Sequence, residues 1–171
     1  MDIQNHFDSK IGKIKDSLVK LKQIDFELAY LALLTHEGLK PLSRWEKTLN
    51  GKELKLLEEM GLLTKIISRK TKTHKEVQEN IFSISPAYIE IYAKRFENKH
   101  IEKSPETQRF EGFLFGFPTC CVENYIIKPY AANNLEEKDQ KLLFHWACYN
   151  CKITPFLLDS YKKIYDLLEN L

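Results

Sequence analysis

The sequence predicts a mainly α fold with one β-hairpin (α+β), and three observations predict it. Apolar residues recur at helical spacing along most of the 171-residue chain. Between Leu62 and Ile84 that period gives way to two β-branched runs around a polar turn. All four cysteines then fall in the last third, at Cys120, Cys121, Cys148 and Cys151, within helical patterns interrupted by Gly and Pro.

Taken in order, Ile3, Phe7, Ile11, Ile14, Leu18 and Leu21 step by three or four residues and form one apolar stripe on a helix. The stripe either packs on its own chain or, being close to heptad spacing, meets a second copy to form a homodimer. Asp25 is placed to cap a second helix, Phe26 to about His36, which Gly38 stops. Pro41 can open a short third helix through Trp45 and Lys47. Asn50 caps a helix carrying Leu54, Leu57 and Met60, with Gly61 as its stop. Strands follow at Leu62 to Ser68 and Val77 to Ile84, around a polar turn at 71–74. Ser85-Pro86 and Ser104-Pro105 each start a helix, the first with Ile89, Tyr92 and Phe96 on one face, the second with Phe110, Phe113 and Leu114. The last helix begins at Thr154-Pro155 and runs on Leu157, Tyr161, Ile164 and Leu168.

Helices followed by a hairpin is the order of a winged helix. The run Leu57-Glu58-Glu59-Met60-Gly61-Leu62-Leu63, leading into a Lys/Arg-rich hairpin, resembles the junction between recognition helix and wing in bacterial and archaeal winged-helix regulators. The resemblance covers roughly residues 25–85 and implies DNA binding. The segment 64–75 holds Lys65, Arg69, Lys70, Lys72 and Lys75 with no acid, a local charge of +5 suited to phosphate contacts. Against this, the helix before it carries Glu53, Glu58 and Glu59. The chain thus divides into an N-terminal helix at 1–24, a winged-helix-like unit at 25–97 and a helical Cys/His unit at 98–171, the last two forming one domain if they share a core.

The chemistry concentrates in the third segment. Gly116 and Pro118 lead into a helix from Thr119 to Ile127, which places Cys120 and Cys121 in its first turn, where unpaired N–H groups and the helix dipole favour thiolates. Neighbouring positions point about 100° apart, so the two thiols are expected to divide their roles. Downstream, Asn134 with Glu137 reads as a capping pattern for a helix continuing through Leu142, Leu143 and Trp146. His145 and Cys148 would then share a face, with Cys151 just beyond the helix end. Cys148-x-x-Cys151 has the spacing of two sulfurs on one ion. In a reducing compartment such a set points to metal, either zinc or an iron–sulfur cluster, with ligands drawn from Cys120, Cys121, His145, Cys148 and Cys151. A thiol enzyme using Cys120 or Cys121 with His145 as base is the rival reading, and buried cysteines acting as small apolar residues the third.

The stretch Glu111-Gly112-Phe113-Leu114-Phe115-Gly116-Phe117-Pro118-Thr119-Cys120-Cys121, with His145, Cys148 and Cys151 downstream, resembles an archaeal protein family marked by Glu-Gly-x-Leu-x-Gly-(Phe or Tyr)-Pro-x-Cys-Cys. That resemblance covers roughly residues 105–155; it implies an archaeal origin and carries no activity with it.

Composition excludes several classes. Hydrophobic residues make up 43% and charged residues 29%, an ordinary globular balance, and the net charge of +2 is far from that of a globally basic nucleic-acid binder. No apolar run approaches the roughly 18 residues of a membrane span, and Met1-Asp2-Ile3-Gln4-Asn5-His6 lacks the layout of a secretory signal, so a cytoplasmic protein is expected. Nucleotide-binding glycine loops and the serine-hydrolase elbow have no match.

Overall fold

The structure, a computed structural model, describes residues 3–171, with side chains described from residue 11 onward. The eleven elements run α1 (Ile3–Ile24), α2 (Phe26–His36), β1 (Ser43–Trp45), α3 (Gly51–Glu59), β2 (Leu63–Lys70), β3 (Glu76–Ser83), α4 (Pro86–Phe96), α5 (Pro105–Leu114), α6 (Thr119–Ile127), α7 (Glu137–Leu142) and α8 (Thr154–Glu169). Mainly α with a β-hairpin is therefore the observed class. No helix among the described residues is long and apolar enough to cross a membrane.

Local chemistry accounts for most boundaries. Asp25 accepts a hydrogen bond from the Leu28 N–H and starts α2. Asn50 and Glu53 form a reciprocal capping box on α3, so one of the three carboxylates expected on that helix is spent on its own backbone. Gly61 sits at φ 77°, the left-handed conformation in which a side chain is disfavoured, and turns α3 into β2.

The segment after Pro41 departs from expectation. Instead of a third helix through Trp45 and Lys47, Ser43–Trp45 is a strand, antiparallel to β3 with Ser43 opposite Phe82 and Trp45 opposite Asn80. Ser43 and Trp45 are buried while Arg44 is less so, a period of two that suits a strand, and the Ser43 hydroxyl shares a 2.7 Å hydrogen bond with Thr35. The sheet order is β1-β3-β2, so the hairpin's second strand is covered on both edges.

Two apolar cores result. The larger takes Ile14, Leu18 and Leu21 from α1, nearly all of α2, Leu56 and Leu57 from α3, and Leu158, Tyr161, Ile164 and Leu168 from α8. Ile14, Leu18 and Leu21 are thus buried against the protein's own helices and Ile11 is buried too, while the side chains of Ile3 and Phe7 lie outside the described residues. The smaller core joins Ile67 and Ile81 of the sheet to Tyr92, Ala93 and Phe96 of α4 and to Leu114 and Phe115.

α5 and α6 meet closely. A Cβ on Gly112 would lie 2.5 Å from the Val122 Cγ2, so only glycine lets the helix bearing Cys120 and Cys121 pack at this distance. Gly116, at φ 72°, turns the chain between them, and its absent side chain makes room for Pro41.

Candidate metal centre

α6 begins without a side-chain cap, directly after Pro118, and presents two cysteines in its first turn: Cys121 buried, Cys120 exposed. Facing them is a segment with almost no regular structure. α7 stops at Leu142, and residues 143–153 run to α8 as irregular chain. His145 and Cys148 therefore share no helix face, and Asn134 does not cap: the N-cap is Glu136, and the Asn134 amide instead donates to the Tyr149 carbonyl at 3.2 Å.

Side chains hold this segment in place. The Gln140 amide N–H donates to the His145 carbonyl at 2.8 Å while its oxygen accepts from the Ala147 N–H, and the Trp146 indole donates to the Ala131 carbonyl at 2.7 Å. These bonds satisfy backbone groups that a helix would have paired internally. Cys148 and Cys151 then flank a tight turn closed by the Cys151 N–H on the Cys148 carbonyl at 3.2 Å.

The four sulfurs of Cys120, Cys121, Cys148 and Cys151 all lie within 4.8 Å of one another. They could hold a metal ion. Both vicinal sulfurs belong to this group, because rotation about each Cα–Cβ bond can bring them together despite their diverging stems. Cys120 and Cys151 are in contact at 3.5 Å.

Donors surround the sulfurs. The Cys148 N–H points to Cys121 at 3.3 Å, the Thr154 N–H to Cys151 at 3.3 Å, and the Thr154 hydroxyl to Cys151 at 3.1 Å. Burial raises the Cys151 thiol, but the Thr154 hydroxyl and the N–H groups of Thr154 and Ile153 outweigh it and bring the pKa down to about 7. Cys120 goes the other way: burial, then the crowding thiols of Cys151 and Cys148, push it up to about 11. Burial also holds Cys121 well above the ordinary thiol range. At Cys120 and Cys121, then, burial and neighbouring thiols act against the thiolate character expected from the helix N-terminus.

His145 is not one of the clustered ligands. Its Nε2 lies 3.2 Å from the Thr154 hydroxyl and its Nδ1 is buried without a hydrogen-bond partner, so it reaches the sulfurs only through Thr154. Neither Cys120 nor Cys121 hydrogen-bonds it, which separates the Cys121–His145 pair that a thiol enzyme would need. Glu123, beside the cysteines in sequence, forms a two-pronged ion pair with Arg109 at 2.6 and 2.8 Å.

Thr154 and Gln140 escaped the sequence reading. Thr154 is the first residue of α8, as its place before Pro155 predicts, and its buried hydroxyl also serves the sulfurs. A signal was there, in a hydroxyl residue three positions after the last cysteine. Gln140 had none.

The basic hairpin is only partly a surface. Arg69 is 2% exposed and its guanidinium pairs with Glu79 at 3.3 Å and Glu111 at 3.4 Å, over the ring of Phe96. It sits two residues after the buried Ile67, so strand alternation sends it inward, which removes it from the DNA-contact set. Lys65 pairs with Glu97 at 3.1 Å. Lys70, Lys72 and Lys75 are exposed around the turn.

Comparison with family models, with curated proteins and with solved structures returned no match.

Proposed function

We propose that this protein binds a single tetrahedral metal ion, zinc first among the candidates, through Cys120, Cys121, Cys148 and Cys151, and that the ion fastens α6 to the irregular segment before α8. The observation that carries this is the mutual approach of all four sulfurs to within 4.8 Å. Zinc–thiolate bonds of about 2.3 Å in a tetrahedron set the sulfurs about 3.8 Å apart, close to this spacing. An iron–sulfur cluster shares its thiolates among separate irons and spreads them wider. The N–H and O–H groups aimed at Cys121 and Cys151 support the same reading, since they stabilise thiolate charge and orient ligands. Closed four-sulfur sites are structural more often than catalytic, because no position is left for substrate.

The test is metal and acid-labile sulfide content per chain, with an absorption spectrum, on anaerobically purified protein. One zinc per chain, no sulfide and no colour is the expected result, with cobalt substitution giving the visible bands of a tetrahedral thiolate site. Iron with sulfide overturns the single-ion assignment. Absence of any metal, with no uptake on addition, overturns the metal reading altogether.

A second reading, a metal- or redox-responsive regulator touching DNA through a winged-helix-like hairpin, is favoured by the exposed Lys70, Lys72 and Lys75 around the turn. Three phosphate contacts give log K against log salt a slope of about −2.7. Association of metal-loaded protein with duplex DNA that shows no salt dependence removes it.

A further inference from the structure

Beside the cysteine cluster lies a cavity of about 1180 Å³, bounded by α2, β1, α5, α6 and the segment from Asn133 to Trp146. It is at least as large as the roughly 300–1,000 Å³ of ordinary small-molecule sites. Aromatic rings make much of its wall, among them Phe115, Phe117, Phe144 and Trp146. Two buried polar groups interrupt that wall, and each has an unmet requirement.

The first is Lys40. The residue is 2% exposed, its Nζ donates to the Phe115 carbonyl at 3.0 Å, and the amine lies over the rings of Phe117 and Phe144 at 4.7 and 5.1 Å. Among the described residues no carboxylate pairs with it. Burial without a counter-ion pulls its pKa down to about 7. Such a group is short of an anion.

The second is His145, 8% exposed, its ring against Phe117 at 5.4 Å. The Thr154 hydroxyl has one proton, and Cys151, as a metal thiolate, can only accept it at 3.1 Å. Thr154 must then accept from the His145 Nε2–H at 3.2 Å, which leaves Nδ1 as a bare lone pair. That atom is buried and has no partner. Burial, then the charge of Lys40, holds the ring near pKa 4, so it is neutral around pH 7.

We propose that this cavity binds a small planar aromatic carboxylate carrying a hydroxyl or N–H group, the carboxylate pairing with Lys40, the donor meeting His145 Nδ1, and the ring lying against Phe117 and Phe144. The tautomer of His145 rests on the metal reading above, whereas the need of Lys40 for an anion does not. The ligand supplies what each buried group lacks, and the aromatic wall supplies its apolar contact.

The probes are 2-, 3- and 4-hydroxybenzoate, with benzoate, phenol and benzamide as controls, titrated calorimetrically into the 171-residue chain, whose zinc content is measured on the same sample. Imidazole ¹⁵N spectra follow His145. At least one hydroxybenzoate is expected to bind one-to-one and to move the His145 Nδ1 resonance, with benzoate, phenol and benzamide each at least tenfold weaker. Lys40→Met, which removes a buried charge, is expected to keep its zinc and lose at least tenfold in affinity. No saturable binding of any hydroxybenzoate at millimolar concentration overturns the proposal, and so does unchanged affinity in Lys40→Met. Zinc present without ligand binding breaks this inference alone; ligand binding in a chain that takes up no zinc breaks the metal reading instead.

Discussion

Beneath the sheet, Arg44 and Arg69 share the carboxylates of Glu79 and Glu111, with contacts from 2.7 to 3.9 Å, and the Tyr92 hydroxyl donates to Glu79 at 2.7 Å. At the α6 end, four thiols crowd together with no cationic side chain in the group. Both clusters are polar and partly or wholly buried. In the first, two guanidiniums answer two carboxylates, so the chain itself completes the charge balance. In the second, burial and then the neighbouring thiols of Cys151 and Cys148 raise Cys120 to about 11, and no cation in the group offsets them. A divalent cation reverses that balance at once. Buried polar groups that close on one another describe a scaffold; those that close only around a missing charge describe a binding site.

Removing the proposed ion is the largest expected break in this comparison. Residues 143–153 have almost no helix or strand to fall back on, and structural zinc sites contribute on the order of 10 kcal/mol in small domains. The larger apolar core takes only Leu143 and Ala147 from that segment as fully buried members, so about half of that effect, roughly 5 kcal/mol, is expected. Calorimetry with a strong chelator should show the melting temperature falling by about 10–20 °C, with Cys148→Ser reproducing the fall and abolishing its dependence on chelator. Hydrogen exchange should open 143–153 first. An unchanged melt would place both clusters in the self-completing class.

Breaking the scaffold cluster comes next. The Glu111 Oε1 accepts from both Arg44, at 2.7 Å, and Arg69, at 3.4 Å, so Glu111→Gln leaves two guanidiniums sharing Glu79. Loss of one partner from a buried pair costs about 3–5 kcal/mol. Denaturant unfolding should show this loss with the content of the proposed metal unchanged from wild type, whereas a variant that also sheds metal would mean that the clusters are coupled through α5 and α6.

Lys40 belongs to neither class, and pH separates it from both. Its folded pKa of about 7 lies below the ordinary 10.5, so between those values the unfolded chain binds more protons and stability rises with pH. His145, lowered from 6.5 to about 4, adds a rise of the same sign at lower pH. Urea midpoints from pH 5 to 10 should climb through both windows in the wild type. In Lys40→Met the upper climb should lose the part due to Lys40, leaving at most the share of Cys151, while the lower persists in reduced form, since part of the His145 shift comes from the charge of Lys40.

These distinctions also measure what could be read from the sequence. Caps and stops were legible because they are local: Asp25, Asn50, Gly38 and Gly61 act within a turn of where they stand. The four cysteines were legible as a set because thiols rarely cluster by accident in a reducing compartment. Contacts between distant segments were not. β1 forms because β3 offers an edge more than thirty residues away, which overrode the helical look of the segment after Pro41. The supposed helical continuation through His145 fails because Gln140 and Trp146 tie the backbone elsewhere. Arg69 shows the opposite case: its place two residues after Ile67 in a strand already held the answer, and its charge distracted from it.

The smallest expected effect tests whether the comparison concerns burial or ion pairing as such. Arg109 and Glu123 make the best-formed two-pronged pair among the described residues, at 2.6 and 2.8 Å, and they bridge α5 to the helix that carries Cys120 and Cys121. Position alone would make this pair a brace for the metal centre. Both side chains are solvated, however, with exposures of 52% and 39%, so water replaces most of what either partner loses. The brace that α6 does depend on is the glycine contact, where Val122 occupies the space of a missing Gly112 side chain. Arg109→Ala is therefore expected to leave the melting temperature and the competition with chelator unchanged, while Gly112→Ala lowers both. Should Arg109→Ala instead release the metal more readily, exposed pairing would matter here as much as burial, and the line drawn between the two clusters would have to be moved.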